Sequence, residues 1–164
     1  MDSSTTLLSV IAVGCGATAV MDLWLLLVRR LGVPTLDFAL LGRWFGHAVR
    51  GRLAHVSIAR SPAIAGERAL GWLAHYLTGI AFAGLLVLLV GAGWLSAPRP
   101  GPALGFGLVT VLAPWLILQP AMGAGFFASR TPTPRANAVR NLANHAVFGA
   151  GLYLAASGLA GLLA

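Results

Sequence analysis

Lysine is absent from this 164-residue chain, acidic residues number 4, and Cys15 is the lone cysteine. Each scarcity excludes something. Charged residues make up 9% of the chain, against about 25% in soluble globular domains, too few to cover a water-soluble surface. Disorder is excluded from the other side, because 58% of the residues are hydrophobic and disordered chains are poor in apolar residues. Without lysine there is no phosphate loop of the Gly-Lys-Ser/Thr kind. A single cysteine closes no intrachain disulfide and carries no information about an oxidising compartment. Asp2, Asp22, Asp37 and Glu67 are the only carboxylates, and they form no evident acid–base pair of the glycosidase type. No catalytic constellation is visible, and enzyme activity stays open, with a non-enzyme favoured over a membrane-embedded metalloenzyme. What remains is an all-α integral membrane protein, a single transmembrane domain over residues 1–164.

Four stretches meet the requirement of about 20 mainly apolar residues for a membrane-crossing helix: residues 5–28, 69–95, 102–128 and 136–164. Residues 1–9 lack the positive region of a secretory signal, so the first stretch is expected to stay as a span. Pro114 and Pro120 interrupt the third, where each removes a backbone donor and must distort the helix. Thr133 and Pro134 mark the start of the fourth as N-cap and first helical residue. Gly14 and Gly16, Gly79 with Ala81 and Ala83, Gly123 and Gly125, and Gly149, Gly151 and Gly158 supply small faces for close helix packing. His75-x-x-x-Gly79 and His145-x-x-x-Gly149 hint at two duplicated helical hairpins.

All 11 basic residues are arginine and the formal charge is +7. Seven arginines lie in the connection 29–68, three near the start of the fourth span, one between the second and third, and none at the termini. That bias places both termini outside and the long connection in the cytoplasm. The high basicity is thus a topology signal facing anionic lipid, and no nucleic-acid partner is expected. Within the connection, residues 35–49 form an amphipathic helix with Phe38, Leu41, Trp44 and Phe45 on one stripe, expected to lie in the membrane interface. Trp24, Trp44, Trp72, Trp94 and Trp115 read as interfacial anchors, and Ser57, Ser61 and Thr131 as ordinary loop residues.

Ionisable residues inside spans are costly and are functional-site candidates by default. At about 1.5 Å per residue, Asp22, His75 and His145 fall roughly 8–11 Å inside the cytoplasmic ends of three spans, with Gln119 somewhat deeper and Asn141 one turn before His145. Three readings follow. Asp22, His75, Gln119, Asn141 and His145 handle a proton, cation or polar solute in a small transporter or permease. In the second, the polar layer is structural, and the protein is an interaction subunit with a membrane protein partner or a homo-oligomer. In the third, Asp22, His75 and His145 hold a divalent metal, with His47 or His55 contributing from the connection. No cofactor is specified beyond that metal. The bilayer is the certain partner.

The string Ala17-Thr18-Ala19-Val20-Met21-Asp22-Leu23-Trp24, followed by Gly42-Arg43-Trp44-Phe45-Gly46-His47, resembles the bacterial membrane family known as domain of unknown function 2938. So do Gly66-Glu67, Gly71-Trp72-Leu73-Ala74-His75-Tyr76, Ala113-Pro114-Trp115 with Gln119-Pro120, Ala128-Ser129-Arg130-Thr131-Pro132, and His145 through Tyr153. The resemblance covers nearly the whole chain. It implies a small multi-pass protein of the bacterial inner membrane with no assigned activity, and it supplies no catalytic or binding residue.

Overall fold

The computed structural model describes residues 2–163, and among these the regular structure is all helical, without strands. The elements are α1 (Ser3–Arg30), α2 (Phe38–Ala48), α3 (Glu67–Val90), α4 (Gly93–Ser96), α5 (Pro100–Thr110), α6 (Gln119–Ala121) and α7 (Pro134–Leu163). A π-helical turn, Pro114–Leu118, links α5 to α6. Four helical segments are long and apolar enough to cross a membrane: Ser3–Arg30, Glu67–Val90, Pro100–Ala121 and Pro134–Leu162.

Helix ends follow local chemistry. Asp2 caps α1 by accepting from Thr5 N at 2.7 Å, and Asp37 caps α2 by accepting from Ala39 N at 2.9 Å. Arg29 and Arg30 close α1, where positive charge meets the negative end of the helix dipole. The second span stops at Val90, short of the expected residue 95, because Gly91 takes a φ of 90° that ends the helix. Beyond it α4 is a separate turn whose Trp94 and Leu95 are buried. Trp94 Nε1 donates to Arg99 O at 3.1 Å, so this indole is a core residue and not an interfacial anchor. The third span likewise ends at Ala121 instead of residue 128. Gly123 and Gly125, expected on a helix face, occupy turns with φ of 93° and 75°.

The chain divides into two compact units: a first of Met1–Thr35, Tyr76–Thr110 and Ala143–Ala164, and a second of Leu36–His75 and Val111–Leu142. The first is held by glycine contacts and a small apolar core. Gly14 lies against the Ile80 backbone, Gly107 against Gly149, and Gly151 against Ala17. Any side chain at these positions would collide with the neighbouring helix, so glycine sets the spacing. Val13, Leu86, Phe148 and Leu152 fill the core between them. The glycines of both His-x-x-x-Gly strings sit at close helix contacts. Gly79 of α3 meets Thr18 on α1, and Gly149 of α7 meets Ala103 and Leu104 on α5.

In the second unit α2 packs on protein. Its buried residues are Leu41, Gly42, Gly46 and His47. A Cβ on Gly42 would overlap the Glu67 carbonyl, and one on Gly71 would overlap that of Phe38, so α2 crosses the first turns of α3 at backbone contact. The interface placement expected from its amphipathicity is therefore modified, because the small-residue face finds a protein partner. The following loop is also anchored: His55 N donates to Ala121 O at 2.8 Å, and Ile58 N to Met122 O at 3.0 Å.

Candidate functional site

The intramembrane polar residues of the first unit are matched in pairs. Asp22, half-buried on α1, accepts from Tyr76 Oη at 2.9 Å. Trp24 Nε1 donates to Asn144 Oδ1 at 2.9 Å, which makes it an interhelical tie as well as an aromatic residue. Thr110 Oγ1 donates to Gly107 O at 2.6 Å and lies 2.8 Å from His145 Nδ1. Thr110 thus ties His145 to the Gly107 turn of α5. Thr18 Oγ1 makes the simpler version, donating back to Gly14 O at 2.8 Å.

In the second unit the aromatic and charged groups of the connection are assembled around α2. His75 is flanked by Phe38, with ring centroids 4.5 Å apart, and by Trp72 at 6.0 Å. Arg43 donates twice to Glu67, through Nε and Nη2, each at 2.8 Å. Its remaining Nη1 reaches the carbonyls of Ala59 at 3.1 Å and Ser61 at 3.2 Å. The Glu67 carboxylate holds the Arg43 guanidinium even above its usual range, so this arginine is charged at every relevant pH. Glu67 also accepts from Ile64 N at 3.0 Å. One ion pair thus fastens α2, the loop and the start of α3.

His47 and His55 come together, their rings 5.2 Å apart and both buried. His47 Nε2 donates to Pro62 O at 3.0 Å. His55 meets Ser61 Oγ at 3.0 Å and Arg52 O at 3.2 Å, which engages both of its nitrogens. Ser61 and Thr131 are more than loop filler, since Thr131 Oγ1 accepts from Asn137 Nδ2 at 2.6 Å.

The break in the third span carries a different kind of polar group. Pro114 opens the π turn and Pro120 enters α6, and the wider turn redirects the side chains that follow. Trp115 Nε1, Gln119 Oε1 and Asn141 Nδ2 are buried polar atoms without a hydrogen-bond partner. All three belong to the second unit. Trp115 and Gln119 stand four residues apart across the π turn, and the indole ring lies 5.1 Å from that of Phe127. An unmatched buried donor or acceptor costs about 1–3 kcal/mol, so three of them in one unit are unusual unless something else completes each.

The candidate residues are therefore distributed. Asp22 and His145 lie in the first unit, and His47, His55, His75, Gln119 and Asn141 in the second. Among the described residues no three His, Cys, Asp or Glu side chains gather as a metal site would need. Sequence reasoning passed over Tyr76, Thr110 and Trp115. Thr110 and Tyr76 carry single hydroxyls, inconspicuous until a partner helix is placed beside them, and Trp115 was assigned to the interface on residue type alone. Its position four residues before Gln119, between two prolines, was the available signal.

The family model described as protein of unknown function (DUF2938) matches residues 11–159. The chain belongs to that family. The matched span contains every candidate residue named above, from Asp22 to His145. No curated protein and no solved structure matches the chain.

Proposed function

We propose that this DUF2938 protein is a small permease-like protein that binds a polar solute at the break in its third span. The observation that carries the reading is the set of unmatched buried atoms on Trp115, Gln119 and Asn141 within one compact unit. Broken helices are where transporters place their binding sites, because freed backbone and polar side chains are tolerated in a membrane only when they line a cavity. Two of the three atoms are donors and one is an acceptor, a pattern that suits an uncharged amide or hydroxyl compound. The arginine distribution supports both termini outside and the 29–68 connection in the cytoplasm of a bacterial inner membrane.

The test is uptake into vesicles containing the purified protein, using a panel of small amides, polyols and amino acids. Uptake above that of protein-free vesicles, lost in Gln119→Leu and Asn141→Leu while the variants remain folded, is the expected result. No uptake of any compound, or uptake indifferent to both substitutions, overturns the proposal.

A second, proton-handling role is favoured by one observation, the 2.8 Å contact between Thr110 Oγ1 and Nδ1 of His145, an ionisable residue within a span. If uptake is proton-coupled, His145→Gln abolishes its dependence on a pH gradient while leaving solute binding in place. A coupling unchanged in that variant excludes His145 from the proton path.

A further inference from the structure

Outside the four spans, the second unit exposes bulky apolar side chains alternating with arginines. Val49 is 84% exposed, Leu53 61% and Val56 92%, and Phe126 is 59% exposed. Arg50, Arg52, Arg60 and Arg130 are exposed beside them. The alternation is built by the anchoring of the loop, since His55 and Ile58 are buried and so turn Leu53 and Val56 outward. Trp44 Nε1 fixes the same loop from behind by donating to Leu53 O at 2.9 Å.

The height of this surface is set by hydrogen bonds. His55 and Ile58 donate to Ala121 and Met122, where the third span ends. The loop is therefore level with the end of a membrane-crossing helix, where hydrocarbon gives way to headgroups. The neighbouring turn adds Phe126, and Phe127 and Ala128 hold φ of 53° and 59°, a left-handed backbone that is costly for residues other than glycine. Gly123 backs directly onto the His55 and Val56 carbonyls, so the two loops are neighbours. Charge is one-signed: no carboxylate lies between Asp37 and Glu67 or after Glu67, and Glu67 is engaged by Arg43.

We infer that residues 49–60 and 126–130 form a surface for anionic phospholipid, with Val49, Leu53, Val56 and Phe126 entering the acyl boundary and Arg50, Arg52, Arg60 and Arg130 meeting the phosphates. Apolar side chains dip and arginines stay at the headgroup level, the division of labour of interfacial segments. This inference stands independently of solute transport.

The full-length protein with Cys15→Ala and Val56→Cys, carrying a polarity-sensitive fluorophore at position 56, is placed in two kinds of vesicle. One is phosphatidylcholine alone; the other is equal parts phosphatidylcholine and phosphatidylglycerol. The expected result is a blue-shifted emission and about fivefold less quenching by aqueous acrylamide in the anionic vesicles, the scale set by one arginine–lipid interaction. Adding Arg50→Gln and Arg52→Gln, both exposed positions, returns the quenching to the phosphatidylcholine level. A label at Leu53→Cys reports the same difference. Equal water access in both vesicles overturns the inference. So does shielding that is independent of lipid charge and disappears when the protein is diluted, which assigns the surface to a second copy of the chain.

Discussion

The two units of this protein are made from the same small and apolar residues, yet among the described residues only the second leaves buried side-chain atoms without a partner. In the first, Asp22 meets Tyr76, Trp24 meets Asn144, and His145 meets Thr110. In the second, Trp115 Nε1, Gln119 Oε1 and Asn141 Nδ2 are buried without a partner. A matched pair inside a membrane contributes little net stability, on average about 0.6 kcal/mol, but removing one member leaves the other stranded. An unmatched group already carries that cost. The difference separates polar groups that tie helices together from polar groups that already carry a desolvation cost.

The comparison is sharpest at backbone contacts, which give the largest expected effect. Gly42→Val should cost ~3 kcal/mol or more, because the Glu67 carbonyl fills the space a Cβ would need. Unfolding in mixed micelles measures it, and a loss below that of Gly158→Val, where nothing lies within 4 Å, would show that α2 does not rest on α3.

Polar deletions come next and should differ in sign between the units. Thr110→Val keeps the shape but strands His145 Nδ1 and should cost about 1–2 kcal/mol. Gln119→Leu and Asn141→Leu should each leave stability within ~0.5 kcal/mol of the parent, or raise it, because an unpaid desolvation is removed. The same unfolding assay reads both. A Gln119→Leu cost equal to that of Thr110→Val would erase the distinction and assign Gln119 a structural partner.

The smallest effect lies at the N-terminus of α1. The Thr5 hydroxyl, and after it the Thr5 backbone N–H, hold the Asp2 carboxyl below its ordinary value near 3.8. A carboxyl lowered on folding stabilises the folded state above its unfolded pKa and loses that contribution as pH falls through the folded value. Protection of the Thr5 amide, its exchange rate relative to the intrinsic rate at each pH, should therefore fall only below about pH 4, and in Asp2→Ala it should be low at every pH. Protection that ignores pH in the parent protein would dismiss the cap.

Much of the architecture was legible from the chain. Hydrophobic runs of span length are hard to disguise, and Arg29, Pro134 and the Pro114–Pro120 pair marked ends and a break by local chemistry alone. The errors came where a glycine turn ended a helix before its apolar run did, at Gly91 and Gly123. Hydropathy continues through such turns, because the residues after them are still apolar: Trp94 and Leu95 are buried in protein, whereas Phe126 is exposed. The candidate layer was legible only in part. Depth along a span can be counted from the flanking arginines, which is the basis of the expected layer of Asp22, His75 and His145 with Gln119 deeper. Azimuth and partner cannot be counted, which is why Tyr76 and Thr110 went unnoticed and Trp24, Trp94 and Trp115 were all given the role usual for tryptophan.

The sequence by itself determined that this is a helical membrane protein of four spans, with its arginines gathered at one set of helix ends, because length, hydropathy and charge act residue by residue. The tertiary structure alone decided which polar atoms are matched and which are not. A hydrogen bond needs two groups within about 3 Å, and only packing brings Thr110 to His145 while leaving Trp115, Gln119 and Asn141 unsatisfied.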